Sequence, residues 1–276
     1  MKKNISLKDK NTFKVGGMAK YYAVVNSRQE LLEVLNFAKE KSLPIFIIGE
    51  GSNVLVSDNG FNGVVIKLNL RQFSIENNIL KVESGVFLRE IVLKTRDLDL
   101  KGLEWAIGIP GTVGGAICGN AGAHNHSISE IISEVEVFDG NEFKIFKKED
   151  CFFDYRNSIF KKNLNLIILS AKFELEQGID LKAMQDYLSK RTKINGHSIG
   201  SIFKNPEGYS AGKLIEDCNL KGLRVGDAII SIEHANWILN LGNASSKDIE
   251  ELILKAKQEV KLKFNIDLVE EIRRLG

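Results

Sequence analysis

Two glycine-dense stretches constrain this chain more than any other feature. The first, Ile48-Gly49-Glu50-Gly51-Ser52-Asn53-Val54-Leu55, reads as the end of a strand entering a tight turn. The second runs from Gly108-Ile109-Pro110-Gly111-Thr112-Val113-Gly114-Gly115-Ala116 on to Gly119-Asn120-Ala121-Gly122. Glycine admits positive φ and lets bare N–H groups approach a ligand oxygen. Successive exposed N–H groups form a concavity suited to pyrophosphate. Ser52, Asn53, Thr112 and Asn120 offer side-chain donors beside them. Either run alone is better read as a pair of tight turns; two in one domain shift the reading toward a nucleotide. Neither common phosphate motif is met. Gly208 to Lys213 is one spacer short of a Walker A loop, with Leu214 where its hydroxyl belongs. Val54 stands in place of the third glycine that a G-x-G-x-x-G would need after Gly49 and Gly51.

The length, 276 residues, suggests two compact units or one domain with an appended lobe. Lys+Arg 38 against Asp+Glu 36 leaves a formal charge of +2, so a nucleic-acid partner is not expected. No apolar run reaches the roughly 20 residues of a spanning helix, and MKKNISLKDKNT lacks the apolar stretch of a secretory signal. Cys118, Cys151 and Cys218 are odd in number and form no C-x-x-C pair. They read as reduced, mostly buried thiols of a cytoplasmic protein. His124, His126, His197 and His234 are scattered, and no metal site is expected.

Ser27 and Glu30 form a capping box for a helix whose apolar face is Leu31, Leu32, Val34, Leu35 and Ala38. Strands are expected at 44–48, 63–68, 79–83 and 166–175, with a second helix over 86–98. Residues 134–138 and 142–146 flank Asp139-Gly140-Asn141 as a hairpin. A helix over 181–192 leads to the polar break Lys193-Ile194-Asn195-Gly196, the best domain boundary. Beyond it come a helix near 211–218, strands near 228–232 and 237–241, and a helix capped by Ser245 and Asp248. The pattern is α+β in both halves.

Residues 49–68, GEGSNVLVSDNGFNGVVIKL, resemble the pyrophosphate loop of the FAD-binding fold of vanillyl-alcohol-type oxidases. Further segments resemble one family of that superfamily, the UDP-N-acetylenolpyruvoylglucosamine reductases of peptidoglycan synthesis. They are NTFKVGG at 11–17, GIPGTVGGAICGNAGA at 108–123, DYRNSIF at 154–160, GSIFKNP at 200–206, AGKLIEDCNLKG at 211–222, HANWILNLGNAS at 234–245 and the tail from Phe264. The resemblance covers nearly the whole chain in order. It implies an α+β fold: a two-subdomain FAD-binding domain of the vanillyl-alcohol-oxidase type, residues 1–68 and 69–193, and a C-terminal substrate-binding domain, residues 194–276, whose tail returns toward the flavin.

The resemblance further implies non-covalent FAD, NADPH as co-substrate and a UDP-N-acetylglucosamine enolpyruvate as substrate, in a monomer. FAD contacts are expected from Gly49, Glu50, Gly51, Ser52, Asn53, Val54, Leu55, Ile109, Pro110, Gly111, Thr112, Gly114, Gly115, Gly119, Asn120, Gly122 and Ala123. Arg156 matches the family's enolate-stabilising arginine, Ser201 its proton donor and Glu271 its catalytic glutamate; Tyr155, Lys204 and Asn205 match substrate contacts. Glu270 competes with Glu271, and on a strand the two would face opposite ways. Four departures set the chain apart: a short 191–200 segment, Ile232-Glu233 before His234, Val269-Glu270 before Glu271, and His124 in place of a tyrosine. They point to the compact subtype with a less enclosed pocket. An oxidase of the same superfamily, or a silent flavin- or UDP-sugar-binding module, are the alternatives.

Overall fold

The computed structural model describes residues 1–191 and 194–276. Its first layer is a four-stranded sheet. Phe61–Leu68 lies at its centre, parallel to Met18–Val25 on one side and Ile45–Ile48 on the other, and Lys2–Ser6 joins antiparallel at the edge. Val64, Val65 and Ile66 are buried in succession, as a strand covered on both faces requires. Helix Arg28–Glu40 covers one face, capped by Ser27, whose side chain accepts from the Glu30 N–H.

A five-stranded antiparallel sheet follows, ordered Phe143–Lys147, Ile132–Phe138, Ile167–Glu174, Ile79–Glu83, Phe73–Glu76. Its core gathers Leu80, Val82, Val135, Val137 and Phe173 against helices Leu88–Asp97 and Val113–Cys118. The two sheets share a seam: Phe138, Ile167 and Leu169 pack into the cluster of Leu31, Val64 and Ile66. Across it Arg28 grips Glu136, its Nε at 3.2 Å and Nη2 at 2.6 Å. The third unit is a small sheet of Arg224–Val225, Ala228–Ile230 and Ile238–Asn240, backed by helices Ala211–Asp217 and Ser246–Phe264. Its core takes in Phe13, Val15 and Leu55 from the first unit.

The chain's last strand, Arg273–Leu275, pairs in parallel with Val54–Val56, the strand that leaves the first glycine turn. Upstream, Glu271 N–H donates to the Ile202 carbonyl (2.8 Å) and Lys204 N–H to that of Val269 (2.9 Å), so the tail is laced to residues 202–204 as well. This double attachment brings three remote segments to one place.

Several expectations shift. The helix read over 86–98 starts at Leu88, because the Val86 carbonyl accepts from Val113 and Phe87 bridges Thr112. The second glycine run hides a helix, Val113–Cys118. Cys151 is fully buried, but Cys118 and Cys218 are only half-buried. The helix read over 181–192 is seen over Leu181–Ser189. Its last residue and the first of the 193–196 break, Thr192 and Lys193, lie outside the described residues. Among the described residues no helix is long and apolar enough to cross a membrane.

Candidate active site

The two glycine runs face each other across a cavity of about 680 Å³, within the roughly 300–1,000 Å³ typical of small-molecule sites. A Cβ on Gly49 would sit 2.7 Å from Thr112 Oγ1, and one on Gly111, at φ +120°, 2.9 Å from Ser52 Oγ. Ser52 Oγ donates to the Pro110 carbonyl at 3.3 Å. Gly51 holds φ +66° with the backbone of Lys10 and Asn11 too close for any side chain. The loops thus meet through backbone, leaving a cradle where side chains would fill the space.

Of the expected cofactor contacts, Gly49 to Val54, Ile109 to Thr112, Gly114, Gly115, Gly119, Gly122 and Ala123 all line the cavity. Leu55 does not: it is 2% exposed in the third unit's core. Asn120 does not either, since its amide donates to the Asp154 carbonyl (2.9 Å) and accepts from Ser129 N–H (3.2 Å). The glycine pattern flagged both because it marks the loop, not which side chains turn inward. Glu50 spends its carboxylate on Lys67 at 2.8 Å.

Ser84, on the same wall, was not foreseen. It is 3% exposed, and its Oγ has no hydrogen-bond partner among the described residues. An unsatisfied buried hydroxyl costs about 1–3 kcal/mol, and a polar ligand in the cavity relieves that cost. The cavity's volume, its glycine cradle and this orphan hydroxyl fit a dinucleotide such as FAD.

Arg156, Ser201 and Glu271 line the same cavity. Arg156 sits at φ +52° in a tight turn closed by reciprocal Asp154–Asn157 backbone bonds. Such a left-handed residue is strained when it carries a side chain, and the turn throws the guanidinium inward. There Nη2 donates to the Gly122 carbonyl at 2.5 Å and Nε lies 3.3 Å from Glu271 Oε1. Burial pushes the Glu271 carboxyl above its ordinary pKa, against the opposing pull of Arg156, Lys161 and Lys204. Glu270 faces away, to Lys257 at 2.5 Å and Arg274 at 2.9 Å. Ser201 Oγ accepts from the Trp237 indole N–H at 3.2 Å.

Tyr155, Lys204 and Asn205 do not line the cavity; they cluster at its rim. Lys204 Nζ donates to the Tyr155 carbonyl (3.2 Å), the Tyr155 hydroxyl accepts from Asn205 N–H (3.4 Å), and Arg156 stacks over the Tyr155 ring (5.2 Å). Sequence reasoning missed Lys161, Trp237 and Arg273 on the wall. Lys161 Nζ donates to the backbone carbonyls of Glu271 (2.6 Å) and Arg156 (3.3 Å). Its burial, and then Lys204, lower its pKa. Its position five residues after Arg156 was the only sequence signal for it.

Comparisons with known proteins bear on this site. Residues 19–142 match the family described as FAD binding domain, and residues 192–275 match UDP-N-acetylenolpyruvoylglucosamine reductase, C-terminal domain. A UDP-N-acetylenolpyruvoylglucosamine reductase of Clostridium novyi (strain NT) is 46% identical, over 100% of this chain and 92% of that protein. One of Clostridioides difficile (strain 630) is 42% identical over 100% and 91%. The crystal structure of UDP-N-acetylenolpyruvylglucosamine reductase from Thermus caldophilus is matched with a TM-score of 0.86 at 34% identity, over 99% of this chain and 98% of that one.

Proposed function

This chain belongs to the UDP-N-acetylenolpyruvoylglucosamine reductase family of peptidoglycan synthesis, and on that premise we propose that it uses NADPH and FAD to reduce the enolpyruvyl ether of UDP-N-acetylglucosamine. The observation carrying the reading is that Arg156, Ser201 and Glu271, from three remote segments, line the same cavity as the two glycine runs.

FAD would be held by the 49–54 and 109–115 loops and the Ser84 hydroxyl. When bound, it supplies a hydride, taken from NADPH, to the terminal vinyl carbon of the substrate. Negative charge then develops on the neighbouring carbon and its carboxylate. Arg156 meets that charge with a fixed, permanently ionised fork, oriented by Glu271 and the Gly122 carbonyl. Ser201 gives the proton that completes the lactyl ether. Because these groups are set before charge appears, they favour the transition state over the ground state. Tyr155, Lys204 and Asn205 hold the sugar nucleotide at the rim. We assign FAD to residues 1–193 and the sugar nucleotide chiefly to 194–276. The sheet boundaries and the crossing tail support this division.

Stopped-flow half-reactions test the reading. NADPH alone should bleach the flavin, and the UDP-sugar should then restore its colour in a step that Ser201→Ala slows at least about 100-fold. Reduced enzyme that ignores the sugar but is reoxidised rapidly by oxygen would place the chain with the oxidases instead.

A further inference from the structure

A serine hydroxyl is a poor acid, so a serine that donates a proton needs a neighbour to receive the charge left behind. We propose that Trp237 is that neighbour: a positioning residue whose indole N–H both aims the Ser201 proton and stabilises the oxygen that gives it up. The inference rests on the proton-donor reading of Ser201.

The geometry leaves little freedom. Ser201 and Trp237 form an antiparallel bridge. On either side Ile202 N–H donates to the Asn236 carbonyl (2.9 Å) and Ser231 N–H to that of Trp237 (2.8 Å). The Trp237 ring leans on His234, centroids 5.5 Å apart, and both Ser201 and Trp237 line the cavity. The indole nitrogen can only donate, so in the 3.2 Å contact Ser201 Oγ must be the acceptor. Among the described residues Ser201 Oγ has no other hydrogen-bond partner. Its own O–H is therefore not spent on the protein and is free to point at a ligand.

In the transfer, the carbanion's electron pair forms a C–H bond to the Ser201 proton while the O–H bond breaks. That bond's pair stays on Oγ as an alkoxide, which later recovers a proton from solvent. The indole N–H strengthens its bond as Oγ becomes charged. Hydrogen bonds to ionised groups exceed neutral ones, so the contribution grows along the reaction coordinate.

Trp237→Phe keeps an aromatic side chain, smaller than the indole, and removes the donor. In the holoenzyme, sugar-dependent reoxidation should slow about 10- to 100-fold, the scale of one hydrogen bond to a charged oxygen. NADPH reduction of the flavin and the half-saturating sugar concentration should stay within about 2-fold, and the solvent isotope effect on reoxidation should rise. In a Ser201→Ala background the same change should do nothing further, because the residue acts through Ser201. A readout independent of turnover, and of whether Trp237→Phe folds, is the ultraviolet resonance Raman difference between wild type and Ser201→Ala. It should show one indole N–H losing its hydrogen bond. Wild-type reoxidation in Trp237→Phe, multiplying effects in the double variant, or a flat Raman difference each overturn the proposal. If Ser201→Ala itself reoxidises at wild-type speed, the fault lies with the proton-donor reading, and this proposal falls with it.

Discussion

Glu271 sits among Arg156, Lys161 and Lys204, yet burial is the larger influence and lifts its pKa. Its folded value then exceeds its unfolded one, so the folded protein binds the proton more tightly. The stabilisation this gives is present below the ordinary carboxylate range and is lost as pH rises through the raised value. Ligand-free protein should therefore lose stability upward from about pH 4.5, and Glu271→Gln, which cannot ionise, should flatten the curve and melt higher near neutrality. Melting temperatures for the two proteins from about pH 5 to about pH 8 decide it; parallel curves would refute the assignment. Arg156 yields a second expectation. Its three simultaneous contacts, to Gly122, Glu271 and the Tyr155 ring, need a planar fork. Arg156→Lys keeps the charge but cannot make all three. Sugar-dependent reoxidation should fall about 30-fold, the equivalent of about 2 kcal/mol, with flavin reduction nearly untouched. Equal losses in both half-reactions would mean the arginine serves the fold rather than the substrate.

Elements built from local signals were legible: the Ser27-capped helix, the Asp139-Gly140-Asn141 hairpin and the Ser245-capped helix all stand where their caps and turn residues put them. Elements that exist through distant partners were not. Arg273–Leu275 is a strand only because Val54–Val56 receives it. Lys2–Ser6 is an exposed edge with no apolar alternation to betray it. Val113–Cys118 was masked by two glycines that disfavour helix, one of which, Gly114, leaves no room for a Cβ beside Ser84. The site divides the same way. Motifs single out Arg156, Ser201 and Glu271, which line the cavity, while Lys161, which ties the 154–160 loop to the tail through two carbonyls, needs the folded chain to be seen. Lys161→Met removes the tie and, with it, a cation that burial already disfavours. These opposing effects should leave thermal stability within about 1 kcal/mol while reoxidation drops about 10- to 100-fold as the tail and loop drift. Full activity in a well-folded Lys161→Met protein would show that the tail is held without it.

At the scale of the whole molecule, the three units cannot be peeled apart cleanly. Phe13, Val15 and Leu55 complete the C-terminal core. Asn240 Nδ2 donates to the Phe13 carbonyl (2.8 Å), Thr12 Oγ1 to that of Ser198 (2.7 Å), and Ser246 N–H to Asp58 Oδ2 (2.8 Å). A shared core with buried cross-links makes independent unfolding costly, because either unit alone would expose apolar surface and orphan polar groups. Ligand-free protein should therefore melt in a single calorimetric transition. On the proposed reading FAD is held by loops of the first two units, and the tail strand and the common core would carry that stabilisation to the third. At about 100-fold excess over its dissociation constant it adds roughly 2.7 kcal/mol, which for a chain of this size raises the melting temperature by about 5–10 °C. The transition should move as one, without splitting. A scan in which FAD lifts one transition and leaves a second where it was would mean the C-terminal unit folds on its own, and that the tail is a strap laid across the cavity rather than part of its wall.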